Sequence, residues 1–265
     1  MKNNSILLKV SGISGIYYPC GIKTNTIMIY GIGAPNVPDN GNLPEARVVL
    51  KKRIDLFVPD YIGFGRSEGR FTPKNCIKTF LILFSGFKLG VLGVSNYANF
   101  KKEMKYQNII IAGRSLGGAY VPILPKFNNK INKIGIVFGA LDQSEQGKIK
   151  GEETNDQFLK SILLDGYKYL YKGFRESLWI KHLNDSDGLS PMDNVSYLKN
   201  CSVFIAHGKK DECIHYSKSV SFYKALTQRY PGRRANYKLI IYKNGVHDSN
   251  TASKAIKAFL DWIEI

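Results

Sequence analysis

Asn108-Ile109-Ile110-Ile111-Ala112-Gly113-Arg114-Ser115-Leu116-Gly117 is the stretch that decides the fold of this 265-residue chain. Its short run of isoleucine has the length and β-branched character of a strand buried on both faces. The small-residue turn behind it ends the strand and opens a helix. A serine at such a turn projects its hydroxyl clear of the backbone, and glycine two residues to either side removes Cβ atoms that would crowd it.

Working outward, two further apolar runs each deliver a reactive side chain. Cys201-Ser202-Val203-Phe204-Ile205-Ala206 is followed by His207-Gly208-Lys209-Lys210-Asp211, and the run 237–242 by Lys243-Asn244-Gly245-Val246-His247-Asp248. Loops that leave the carboxyl ends of parallel strands lie on one sheet edge, so Ser115, Asp211 and His247 can converge despite their separation. The order serine, acid, histidine is that of a nucleophile, its orienting carboxylate and its base. Asp142 lies after the run 133–138 and is the alternative acid.

With these motifs the chain resembles the α/β-hydrolase superfamily over nearly its whole length. Asp60-Tyr61-Ile62-Gly63-Phe64-Gly65-Arg66-Ser67 is similar to that superfamily's D-x-x-G-x-G-x-S loop, and Thr26-Ile27-Met28-Ile29-Tyr30-Gly31-Ile32-Gly33-Ala34-Pro35 to its strand and oxyanion loop. Tyr30 stands where that loop usually carries histidine. Arg114, Gly118 and Pro122 resemble the esterase and prolyl-oligopeptidase-like branches.

The resemblance implies a doubly wound, mostly parallel sheet with helices on both faces. It also implies a serine hydrolase without cofactor or metal, acting on a small-molecule acyl ester, thioester or amide, with carboxylic ester favoured. Backbone N–H groups of Leu116 and of Ile32 or Gly33 would form the oxyanion hole. A peptidase or acyl aminopeptidase of prolyl-oligopeptidase type is the second enzymatic reading. A basic interaction protein on a hydrolase scaffold is the non-enzymatic one.

Periodicity places strands near 6–10, 26–30, 54–59, 108–112, 133–138, 202–206 and 237–242. Helices are expected near 43–51, 97–105, 116–126, 216–229 and 251–264, with Pro122 and Pro125 interrupting the third. The stretch 142–200 lacks a strong strand and reads as a helical cap inserted into a single domain spanning 1–265. Within the segment 71–94 the core 80–92 is apolar on every side and must be covered. It reads either as a helix packed on the sheet or as the wall of an acyl pocket, with Phe84 and Phe87 meeting substrate; Tyr120 is a further substrate-binding candidate.

The net charge is +17, but Lys51-Lys52-Arg53, Lys101-Lys102 and Arg233-Arg234 are small, separate clusters. No helix-turn-helix, zinc-finger or RNA-binding pattern accompanies them, so specific nucleic-acid binding is not expected. Cys20, Cys76, Cys201 and Cys213 form no C-x-x-C pair and show no metal-ligand spacing. The apolar stretch 6–10 is too short for a signal-peptide core, and no segment has the length of a transmembrane helix. A reduced cytoplasmic protein is the expectation.

Overall fold

The computed structural model describes residues 5–34, 37–97 and 99–263; Pro35 of the early loop and Glu264 at the end of the last expected helix lie outside them. The strands are β1 (Ile6–Val10), β2 (Ile13–Tyr18), β3 (Thr26–Gly31), β4 (Asp55–Pro59), β5 (Val91–Ser95), β6 (Phe100–Met104), β7 (Asn108–Arg114), β8 (Lys133–Val137), β9 (Ser202–Gly208) and β10 (Tyr237–Tyr242). They form one sheet in the order β10-β9-β8-β7-β3-β4-β2-β1-β5-β6. From β4 to β10 the neighbours run parallel; β2, β1, β5 and β6 extend the sheet antiparallel. Strands β3, β4 and β7 are buried almost end to end, as expected where helices cover both faces.

The helices are α1 (Pro44–Lys51), α2 (Pro73–Leu89), α3 (Leu116–Tyr120), α4 (Leu124–Phe127), α5 (Asn155–Phe158), α6 (Asp165–Tyr167), α7 (Glu176–Leu183), α8 (Ser217–Arg229) and α9 (Ser249–Trp262). Helices α1 and α9 pack on each other, whereas α2 packs on α4, and α4 and α8 meet through the 3-10 turn Met192–Leu198. Pro122 and Pro125 break the helix after Ser115 as their chemistry dictates: α3 passes into a 3-10 turn at Val121–Ile123 before α4 resumes. No helix among the described residues is long and apolar enough to cross a membrane.

Two expectations are corrected. Within the stretch expected as a helix over 97–105, Phe100–Met104 instead forms β6, paired antiparallel with β5, and residue 98 lies outside the described residues. Alternation explains this, because Met104 is buried and Lys101 and Glu103 face outward, while Lys102 sets its ammonium over the Tyr17 ring. The segment 71–94 is helix α2 followed by β5. Phe84 and Phe87 belong to the core, Phe87 meeting Phe57 and Tyr106 edge-on, so neither touches the cavity described below.

Candidate active site

Ser115 leaves β7 with φ 52° and ψ −121°, a left-handed conformation that an L-residue adopts only under constraint. Its N–H donates to Val137 O at 3.0 Å, and its carbonyl accepts from Ala119 N at 3.0 Å. The glycines around it serve backbone contact more than space for the serine. A side chain on Gly113 would strike Gly117 and Gly118, one on Gly117 would strike Gly31 and the Tyr61 hydroxyl, and one on Gly118 would strike Gly139. Strand and helix therefore pack backbone to backbone, and β3 closes on the same point.

Tyr30 anchors the floor. Its hydroxyl donates to Glu45 Oε1 at 3.3 Å, which also receives Arg114 Nη1 at 2.8 Å; Arg114 reaches Ser249 Oγ at 2.7 Å as well. Burial pushes the Glu45 carboxyl up, and the Arg114 guanidinium opposes it. Among the described residues Glu45 Oε2 has no hydrogen-bond partner.

The acid and base loops are zipped together by their backbones. Lys209 N donates to Tyr242 O and Lys210 N to Gly245 O, each at 2.9 Å. A Cβ on Gly245 would lie 2.8 Å from the Gly208 Cα, so both positions need glycine for this approach. Within that frame His247 Nδ1 lies 2.8 Å from Asp211 Oδ2. The same carboxylate has His207 Nε2 at 3.2 Å and accepts from Cys213 N at 3.0 Å and Ile214 N at 2.9 Å. Burial alone would raise the Asp211 pKa, but the hydrogen bonds and charges of His207 and His247 outweigh it and hold the carboxyl well below the usual range. His207 is itself fixed by Ser219 Oγ at 2.7 Å, and Asp248 caps α9 by accepting from Thr251 N at 2.8 Å.

Ser115 and His247 line one cavity of about 330 Å³. Among the described residues no hydrogen bond joins Ser115 Oγ to the ring, which packs against Phe138 with centroids 4.3 Å apart. Leu116 also lines the cavity, and as the first residue of α3 its N–H has no intrahelical acceptor. Gly33 lies over the serine, where a Cβ would fall 3.0 Å from Ser115 Oγ. Ile32, beside it, is held by its carbonyl, which accepts from Tyr61 OH at 2.7 Å.

The structure separates the other candidates from this cavity. Asp142 accepts from Ser144 Oγ at 3.0 Å, and the carboxylate hydrogen-bonded to His247 is that of Asp211. Tyr120 is buried and stacked on His182, and it does not line the cavity. Asp60 and Ser67 hold their own loop: Asp60 accepts from Arg66 N, Nε and Nη2, and Ser67 Oγ donates to Asp60 O.

The opposite wall comes from the long segment between β8 and β9, through Gln143, Gln146, Glu153, Phe158, Ile162 and Leu183. Phe158 and Ile162 stand out in the sequence as apolar residues of a strand-free segment; the polar members carry no comparable signal. This wall is latched to the acid loop. Gln146 Nε2 donates to Cys213 O at 2.7 Å, Glu153 N to Glu212 O at 3.1 Å, and Glu152 Oε1 accepts from His215 N at 2.7 Å and pairs with the buried Lys218 ammonium. Desolvation raises the Glu153 carboxyl, partly offset by His247. Desolvation and the carboxylates of Asp211, Glu153 and Glu212 push the Cys213 thiol up to about 11.

Known structures share this architecture. An esterase of Pyrococcus furiosus matches with a TM-score of 0.64 at 14% identity, over 98% of this chain and 90% of that one. Est1E from Butyrivibrio proteoclasticus matches with a TM-score of 0.61 at 17% identity, over 97% and 98% of the two chains. An acylaminoacyl peptidase of Pyrococcus horikoshii matches with a TM-score of 0.67 at 14% identity, over 99% of this chain and 41% of that longer one. Residues 167–264 match the sequence profile of the prolyl oligopeptidase family, a span that holds Asp211 and His247 but not Ser115. The chain has the α/β-hydrolase fold, and its C-terminal part is similar to the prolyl-oligopeptidase branch of that superfamily.

Proposed function

We propose that this α/β-hydrolase-fold chain is a serine hydrolase that cleaves carboxylic esters through an acyl-enzyme on Ser115. The observation that carries the reading is the 2.8 Å pair of His247 and the buried Asp211 carboxylate, set in the same cavity as a serine held at a left-handed φ.

Each role follows from the chemistry of its group. A serine hydroxyl is a weak nucleophile and needs a base in reach as it attacks the carbonyl carbon. His247 supplies that base when substrate brings Oγ and the ring into hydrogen-bond contact, which commonly tightens only in the complex. Asp211 accepts the hydrogen bond of Nδ1–H, fixes the tautomer and stabilises the imidazolium as the serine proton moves to Nε2. The tetrahedral oxyanion is met by the N–H of Leu116 and of Ile32 or Gly33, where losing one such donor costs about 3–4 kcal/mol of barrier. The imidazolium then protonates the leaving oxygen, and water activated by His247 releases the acid. In this reading the segment between β8 and β9 is a cap over the acyl site.

A fluorophosphonate probe tests the proposal: it should label the parent protein at Ser115 and leave Ser115→Ala and His247→Ala unlabelled. Parental labelling of either variant would overturn the assignment. Peptidase activity is the second reading, favoured by the family match over 167–264. Turnover of aminoacyl amides above that of acyl esters would select it.

A further inference from the structure

Cys213 is the exposed member of the four free cysteines, and it lines the cavity beside His247. The turn in which Asp211 Oδ1 accepts from Cys213 N folds the thiol back toward the acid and the histidine. One ligand atom each from Asp211, Cys213 and His247 lie within 4.8 Å of one another. Tetrahedral zinc holds sulfur, nitrogen and oxygen at about 2.0–2.3 Å, hence about 3.3–3.8 Å from each other, so a side-chain shift of about 1 Å closes the set. The His247 side chain is 21% exposed and so is reachable from the cavity, whereas Asp211 is fully buried.

The surroundings favour a cation. Glu153 and Glu212 join Asp211 around the thiol, a local negative field on a chain of net charge +17. A thiolate with an imidazole and a carboxylate suits zinc-like ions, whereas magnesium and calcium prefer oxygen ligands throughout. The sequence conceals the grouping because its members come from two loops.

We infer that Asp211, Cys213 and His247 form an inhibitory site for a thiophilic divalent cation, with Zn²⁺ the ion that fits. Binding releases the thiol proton to solvent and forms metal bonds to sulfur, ring nitrogen and carboxylate oxygen, with no change of oxidation state. An ion on Nδ1 leaves the ring's proton on Nε2, and an ion on Nε2 occupies its lone pair. In either case the ring cannot accept the Ser115 proton. The inhibitory role rests on the proposed hydrolase activity; metal binding does not.

Co²⁺ titration of the whole protein tests the site without any turnover. We expect one ion per chain with a thiolate-to-cobalt charge-transfer absorption, lost in Cys213→Ser and kept in Cys20→Ser. Zn²⁺ should displace the cobalt, and its affinity should fall at least about tenfold in Cys213→Ser, since even residues that merely hydrogen-bond a metal ligand are worth that much. Absence of the thiolate band in the parent, or its persistence in Cys213→Ser, would overturn the site. Saturating Zn²⁺ should also suppress fluorophosphonate labelling of the parent, with a chelator restoring it; labelling that continues while the metal is bound would overturn the inhibitory role. A metal-free protein that fails to label removes both the hydrolase reading and that role, while the cobalt spectrum still decides the site.

Discussion

Gly33 faces Ser115 so closely that a Cβ at position 33 would lie 2.7 Å from the serine Cβ. The loop after β3 therefore lies over the elbow only because residue 33 has no side chain. Gly33→Ala must push the loop or the serine by roughly 0.7–1 Å to bring the 2.7 Å approach to ordinary van der Waals contact at 3.4 Å or more. Misplacement on that scale costs about 100-fold in rate when geometry is set by the backbone. We expect kcat/KM for an acyl ester to fall by about that factor while overpacking costs stability only about 1–3 kcal/mol. Kinetics alongside urea unfolding checks both; a parental rate in a folded variant would show that the loop has room.

In the proposed mechanism Asp211 links catalysis to acid stability. Its carboxyl ionises well below the unfolded value of about 3.9. The folded state is therefore stabilised by the charged form at neutral pH, fully so above the unfolded value, and this contribution is lost as pH falls through the folded one. Asp211→Asn should abolish most turnover, by about 10⁴-fold, through the wrong histidine tautomer. It should also lower stability at neutral pH by about 1.5–3 kcal/mol, the range for a hydrogen bond to a charged group. Below pH 4 the gap between parent and variant should narrow. Urea unfolding at several pH values checks this, and a constant gap would argue against the depressed carboxyl.

The sequence made much of this arrangement legible because each candidate catalytic residue follows a short apolar run, and such runs have little choice but to lie inside a covered sheet. Strands β7, β9 and β10, and hence Ser115, Asp211 and His247 at their ends, could be placed that way. The hairpin of β5 and β6 could not. Phe100-Lys101-Lys102-Glu103-Met104 has the charge density of a surface helix, and only pairing with β5 and the contact of Lys102 with Tyr17 and Asp55 makes it a strand. Tyr30, Glu45 and Arg114 were equally hidden, since their network joins three distant elements. The apolar character of α2 announced burial without saying against what, and the core rather than the cavity received Phe84 and Phe87.

The wall opposite Ser115 is tied down by a buried ion pair. Glu152 and Lys218 side chains are 1% and 3% exposed, and Glu152 also holds His215 N and Gly147 N. Removing one partner leaves a buried charge, so Lys218→Met and Glu152→Gln should each destabilise by about 3–5 kcal/mol. The double variant should lose less than the sum of the two. A double-mutant cycle by urea unfolding measures the coupling, and strict additivity would show that the pair is not a unit.

Acyl-chain selection should reside in the wall between β8 and β9. Phe158, Ile162 and Leu183 line the cavity, whereas Phe84 lies in the core behind the sheet, 5% exposed. Ile162→Trp places a larger ring in the cavity and should shift the preferred acyl ester to a shorter chain. Fluorophosphonate labelling of Ser115 should persist in that variant, because the elbow and the Asp211–His247 pair are untouched. Phe84→Ala should do the reverse: stability falls by about 3–5 kcal/mol, as for a truncated core aromatic, while the chain-length profile stays parental. Rates for esters of graded chain length, measured on both folded variants, separate the two walls. A shifted profile in Phe84→Ala with a parental one in Ile162→Trp would place the acyl site at α2 and refute the assignment to the inserted segment.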